Sequence, residues 1–346
     1  MAQHVAADIT PAPPLRLYGP DLPRSDANSP VLREPDRTLA FMSYYEPIGH
    51  SYRRLGGASG FDWGPAQRVL LVDDPDPVVG KWIESVVRLG EGQLLGWYHG
   101  ETVAPCLGRS FTQHIGALVS DDEGASWHVL DDLLRPNPDQ IDCNYRNGAM
   151  VGGFGDFCVV LDRDDGHLYV HFSSYIADER AQGIAVARYP LTQWRQPRQH
   201  LEWWTAGGWR GASVGDLPQP IWGVRRGWRY ADPDAFWGPA VHYNHALGGY
   251  VMLLNRTKDG DGDYRSDGIY LSFNRRLDDP QGWSEPVEIV RSGGWYPQVI
   301  GERPGEGDTE LQADGRLFIS GYSAWNIAFR FGAPAAPFFI ERSPPR

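Results

Sequence analysis

The chain has 346 residues, 41% of them hydrophobic and 22% charged, so it can fill a large buried core. A formal charge of −12 without any clustered run of Lys and Arg excludes the electrostatic footprint of a nucleic-acid binder. No stretch reaches the roughly 18 apolar residues of a membrane-spanning helix, and the three cysteines lack the CxxC spacing of a zinc site and are too few for a disulfide scaffold.

The remaining composition points to β-structure. Fourteen Trp and 16 Tyr accompany 41 Gly and 28 Pro, a mixture of large rings and turn formers that suits short strands and elaborate loops. From the N-terminus, residues 1–20 carry neither a basic segment nor an apolar one of the export type. The expectation is therefore a cytoplasmic location, or a periplasmic or secreted one if a leader has been removed. Short apolar or alternating runs then follow at 37–45, 82–89, 92–100, 115–120, 157–162, 167–175, 183–189, 240–244, 250–257, 268–273, 297–302 and 316–323, each closed by turn residues. No helical periodicity is sustained. Cys106 and Cys143 fall in loops and are able to pair in an oxidising compartment, whereas Cys158 lies in an apolar run and reads as core.

Two features repeat in register along this series. Trp63-Gly-Pro65, Ser126-Trp127, Trp194-Arg-Gln-Pro197 and Trp283-Ser-Glu-Pro286 each mark the hairpin into an outer fourth strand. The innermost strands open at Pro30-Val-Leu32, Glu84-Ser-Val86, Asp156-Phe-Cys158, Pro239-Ala-Val241 and Pro297-Gln-Val299. Five openings predict an all-β, five-bladed β-propeller with four-stranded antiparallel blades at about 29–74, 80–132, 150–205, 232–290 and 294–331 around a central channel. The segment near Leu15 to Tyr18 is expected to supply the outer strand of the last blade, closing one domain over residues 1–331. Residues 206–231 read as an insertion over the pocket, and 332–346 as a loose, Pro-rich tail.

Ser120-Asp-Asp122-Glu-Gly124-Ala-Ser126-Trp127 resembles the Asp-box of sialidases and related propellers, with Ser126 in place of Thr. Side chains in such a motif bond the turn's own backbone, so Ser120, Asp122, Gly124 and Trp127 are expected to be structural.

The first residues of innermost strands ring one mouth of a propeller's channel. At equivalent openings three units carry Pro, but the second and third carry Glu84 and Asp156. Acids crowded at a partly dehydrated mouth repel, which splits their pKa values into an acid and a base. Asp232 and Asp234 precede the fourth opening, and Asp26 precedes the first. Lys81-Trp82-Ile-Glu84-Ser-Val86 and Phe236-Trp237-Gly238-Pro239-Ala-Val241 resemble the Trp-x-Pro-Glu-Val and Glu-Gly-Pro motifs of five-bladed glycosidases of families 43, 32 and 117. The resemblance implies a glycoside hydrolase acting on an oligo- or polysaccharide. It also exposes a departure, because Trp237 stands where the family places the general-acid Glu.

The expected catalytic residues are thus Glu84 and Asp156 as the central pair, with Asp234 assisting. Trp82, Arg146, Asp232, Trp237, His242, Trp295, Tyr296 and Gln298 are the expected sugar contacts, as ring platforms or hydrogen-bonding groups; His99 and His171 have less positional support. Two other readings stand beside this one: a non-catalytic glycan-binding propeller, and a sialidase-type enzyme, which needs three converging arginines. No cofactor is required. A calcium ion has two candidate places, the hub and the alternating acids Asp259, Asp261 and Asp263. The expected partner is a carbohydrate, with no nucleic acid or membrane, and a monomer is the default.

Overall fold

Sequence neighbours pair with one another almost everywhere, as short strands joined by tight turns require. The computed structural model describes residues 4–18, 24–44, 49–76, 79–106, 111–148, 150–212, 217–258, 266–291 and 294–340. Among them there is no α-helix, only short 3-10 turns between strands.

The strands form successive antiparallel meanders. The first unit runs Val31–Arg33, Arg37–Tyr44, His50–Gly57 and Gln67–Arg68. The second runs Gly80–Gly90, Gln93–Val103, Phe111–Ser120 and Ser126–Leu134. Met150–Leu161, His167–Ser174, Gly183–Pro190 and Glu202–Thr205 make the third. Ala235–Asn244, Gly249–Thr257, Ser266–Asn274 and Val287–Arg291 make the fourth. The last consists of Pro297–Ile300, Asp314–Ile319 and Tyr322–Phe331, with Val5–Arg16 from the other end of the chain as its outer strand.

Packing between these units is cyclic. Phe41 with Trp127 and Ile83 joins the first to the second, and Trp97 with Phe157 and Tyr189 joins the second to the third. Tyr169 with Met252 and Trp283 joins the third to the fourth, and Val251 with Ile327 and Leu317 joins the fourth to the last. Phe318 and Ile300 with Met42 and Tyr44 return the last to the first. Each apolar sheet face is thereby covered without a helix layer.

The N-terminal strand begins well before the expected Leu15, because Val5 and Ala7 bury against Ile327 and Phe329. Its outer half carries Pro11, Pro13 and Pro14, which an edge strand tolerates. The tail is not wholly loose: Phe338–Phe339 pairs in parallel with Val290–Arg291, and Ile340 is buried. The insertion sends Trp228 inward, where its ring meets Tyr175 edge-on at 4.9 Å. In the Ser120–Trp127 turn, Asp122 accepts from Ser126 N–H at 2.8 Å and Ser126 Oγ at 2.7 Å, while Gly124 N–H donates to Ser120 Oγ at 2.8 Å. Trp127, wholly buried, packs edge-on against Phe41. A disulfide joins Cys106 to Cys143.

Candidate active site

The innermost strands of the second, third and fourth units each lose register near their start, between Ile83 and Ser85, Gly155 and Phe157, and Trp237 and Ala240. A bulge re-aims the extra residue out of the ladder. In the second and third units that residue is Glu84 and Asp156, and the two openings are tied together: Phe157 N–H donates to Glu84 Oε2 at 3.0 Å and Val159 N–H to Ser85 Oγ at 2.9 Å. Asn28, from the first unit, donates to the carbonyls of Phe157 at 3.0 Å and Pro239 at 3.1 Å. Gln298, from the last, donates to Ser29 O at 2.8 Å and accepts from Ser29 N–H at 2.7 Å. Residues far apart in sequence thus meet at one place.

A cavity of about 460 Å³ opens there. Its carboxylates are Asp26, Glu101 and Asp156, and its rings are Trp82, Trp237, Trp295 and Tyr296. His99, Gln113 and Met150 complete the wall, which contains no Arg or Lys among the described residues. Trp295 is 38% exposed and forms the lip, 6.0 Å edge-on from the buried Trp237.

Asp156 is the most constrained group. Tyr296 donates its hydroxyl to Oδ1 at 3.0 Å, and Tyr175 donates to Oδ2. Both Asp156 (φ 43°) and Tyr296 (φ 53°) adopt the left-handed backbone region that non-glycine residues seldom occupy. His99 Nδ1 stands 3.3 Å from Glu84 Oε1 and 4.0 Å from Asp156 Oδ1, while Nε2 lies 3.9 Å from Glu101 Oε1. Burial opposes a charge on His99, but Glu84, Asp156 and Glu101 outweigh it and bring its pKa up to about 9. Burial likewise raises Glu84 to about 7, against the pull of His99 and Phe157 N–H. Asp26 is pushed up to about 7, first by burial and then by the carboxylates of Asp156 and Glu101. Burial also raises Glu101.

The expected site residues divide. Asp156, Trp82, Trp237, Trp295 and Tyr296 line the cavity. Glu84 lies behind His99, with its side chain fully buried, and is not among the lining residues. Asp234, expected to assist catalysis, instead pairs with Arg256, which donates Nε to Oδ1 at 2.9 Å and Nη2 to Oδ2 at 3.0 Å from the adjacent strand. Asp232 pairs with Arg226 at 2.8 Å on the surface. Arg146 is exposed and lies outside the wall. His242 is buried mid-strand against Phe329, where burial lowers its pKa to about 3. Gln298 is engaged by Ser29, as above.

Glu101 and Gln113 entered the wall without prediction of a site role, and His99 with only weak positional support, because they lie on the second and third strands of their unit, not at an innermost opening. Asp26 was legible only as an extra acid before the first opening. Of the calcium candidates, Asp259, Asp261 and Asp263 lie outside the described residues. At the hub, Glu84, His99 and Asp156 each bring one donor atom to within 4.8 Å of the others. Calcium takes roughly six to eight oxygens. Here one donor is a nitrogen, and three of the four carboxylate oxygens already accept from Phe157 N–H and two tyrosine hydroxyls. The cluster fits a hydrogen-bonded network and not a calcium site.

No protein-family model and no curated protein matches the chain. Among solved structures it is similar to an arabinanase of Bacillus subtilis, at 15% identity and a TM-score of 0.50, over 89% of this chain and 96% of that one. It is also similar to an exo-β-1,3-galactanase of Phanerochaete chrysosporium in complex with β-1,3-galactotriose, at 10% identity and a TM-score of 0.52. That match covers 93% of this chain and 64% of the galactanase, just under two thirds of its length. At these identities the likeness is one of fold, and it agrees with the propeller-type architecture that the strand openings imply.

Proposed function

We propose that the five meanders are the four-stranded blades of a five-bladed propeller, and that the hub cavity hydrolyses a glycosidic bond in an oligo- or polysaccharide. The observation that carries this reading is the pairing, in one aromatic-walled cavity, of Asp26 and Asp156. Asp26 has a pKa raised to about 7, and Asp156 is held by two tyrosine hydroxyls. Glycoside hydrolysis needs such a division between a protonated acid and an ionised base or nucleophile.

Asp26 gives its proton to the leaving oxygen as the bond from the anomeric carbon breaks. Asp156 faces that carbon and either takes a proton from the attacking water, which inverts configuration, or attacks the carbon itself, which retains it. Glu84 does not reach the sugar in this scheme; it acts through His99. The arabinan and β-1,3-galactan named for the similar structures make neutral arabinosyl and galactosyl units the first candidates. Among the described residues the wall holds no arginine, so nothing there supports a sialidase-type grip.

A second reading, glycan binding without turnover, is favoured by Trp237, which occupies the place of the family's general acid. Incubating the protein with arabinan, β-1,3-galactan oligosaccharides and aryl glycosides of arabinose, galactose and xylose separates the two. Hydrolysis that Asp156→Asn abolishes supports the first; binding without hydrolysis supports the second.

A further inference from the structure

At the hub, backbone groups of one unit's innermost strand are satisfied by side chains of other units, as buried polar groups require. Phe157, the residue after Asp156, shows this most fully. Its N–H donates to Glu84 Oε2 at 3.0 Å, and its carbonyl accepts from Asn28 Nδ2 at 3.0 Å. The same amide nitrogen donates to the carbonyl of Pro239 at 3.1 Å. An amide NH2 carries two hydrogens, and both partners are acceptors, which fixes how the side chain is turned. Asn28 is 4% exposed, so bulk water offers these carbonyls no substitute.

The position of this amide relative to the two carboxylates is what gives it a consequence. Asn28 stands two residues after Asp26, and Phe157 directly follows Asp156. A short path therefore runs from Asp26 through Ala27 and Asn28, across one hydrogen bond to Phe157, and on to Asp156. Neither end is slack. Asp26 N–H donates to Ser43 O at 2.8 Å, Ser25 Oγ donates to Ala27 O at 3.1 Å, and Gln298 holds both backbone groups of Ser29. Ser25, Ala27 and Ser29 are all buried. On the far side, Asp156 is fixed by its left-handed backbone and by the hydroxyls of Tyr296 and Tyr175. The one flexible joint in the path is the hydrogen bond itself.

We propose that Asn28 is a positioning residue for hydrolysis, whose amide sets the separation of Asp26 from Asp156 by tying the loop of one to the strand of the other. It does not line the cavity and touches no sugar. The inference deepens the proposed function and rests on its reading of Asp26 and Asp156 as acid and base. The separation of the two carboxyl groups decides how a glycosidic bond is attacked, and misplacing reacting groups by about 1 Å costs on the order of 100-fold in rate. Without the amide, two buried carbonyls lose their donor and the two segments are free to part.

The test pairs Asn28→Leu with Tyr189→Phe. The second variant deletes another buried hydrogen bond between units, from Trp97 Nε1–H to the Tyr189 hydroxyl at 3.0 Å, in residues outside the cavity wall. On an aryl glycoside that wild type cleaves, Asn28→Leu is expected to lower kcat on the order of 100-fold with KM little changed. Tyr189→Phe should lower Tm and leave kcat at its wild-type value. Crystal structures of wild type and Asn28→Leu should differ in the separation of Asp26 from Asp156 by more than about 0.5 Å, the tolerance of a working site. If Asn28→Leu does not fold, Asn28→Ser takes its place, since a hydroxyl has one hydrogen and cannot donate to both carbonyls. The proposal is overturned if the Asn28 variant keeps wild-type kcat, if Tyr189→Phe loses as much kcat, or if the separation is unchanged. Should wild type cleave no glycoside, the hydrolase reading fails, and the separation in the two crystal structures alone decides whether Asn28 sets it.

Discussion

Tyr296 donates its hydroxyl to Asp156 across 140 positions of sequence, and both residues hold left-handed backbone to make that contact. Strain of this kind persists only where surrounding structure over-determines it. Here the bulge at Asp156 and the bond from Tyr296 N–H to Asn255 Oδ1 at 3.0 Å supply that support.

Removing the Tyr296 hydroxyl deprives a buried carboxylate of a donor. A hydrogen bond to a charged group contributes about 1.5–3 kcal/mol, which corresponds to roughly 10- to 100-fold. Tyr296→Phe is therefore expected to lower kcat by up to that factor and also to lower Tm, and Tyr175→Phe to do the same from the other oxygen. Steady-state rates and calorimetry check both.

The fold was more legible than the site, for a physical reason. Strand openings recur because every meander solves the same packing problem, so Pro30, Glu84, Asp156, Pro239 and Pro297 stand out by register alone. Asp234 read in sequence as a further acid ahead of the fourth opening, but Arg256 sits beside it on the neighbouring strand and pairs with it. Sequence spacing does not reveal such a pairing. His99, Glu101 and Gln113 carry no motif; they reach the cavity through strand register, which only the pairing of Gly80–Gly90, Gln93–Val103 and Phe111–Ser120 defines.

The proposed proton donation by Asp26 sets a pH limit with a definite sign. The carboxyl is active when protonated, so kcat/KM should decline as pH rises through about 7. Asp26→Asn should remove that limb along with most activity. A pH–rate profile with no limb near neutrality would contradict the assignment.

Buried histidines make one contribution to acid stability, and two of them are buried with no partner charge. His171 and His242 are held neutral by burial, with pKa values lowered to about 3. The unfolded chain takes up their protons near its ordinary value of about 6.5, so stability due to these groups is lost as pH falls from there toward 3. The double variant His171→Leu, His242→Leu should show a flatter Tm between pH 6 and 4 than wild type, whatever its absolute Tm.

The Ser120–Trp127 turn should matter to folding and not to chemistry. Asp122→Ala removes acceptors for Ser126 N–H, Ser126 Oγ and Ser120 Oγ, and a loss of about 1–3 kcal/mol is expected from urea unfolding. Sugar affinity and kcat should stay at wild-type values, because the turn lies away from the cavity wall.

The central claim is that Asp26 and Asp156 act as a pair on one bound sugar. Its most direct test is the hydrolysis rate of an aryl glycoside that wild type cleaves, measured for Asp26→Asn and Asp156→Asn beside sugar affinity. Turnover lost in both, with affinity retained, is the predicted result; hydrolysis at wild-type rate in either variant would contradict it.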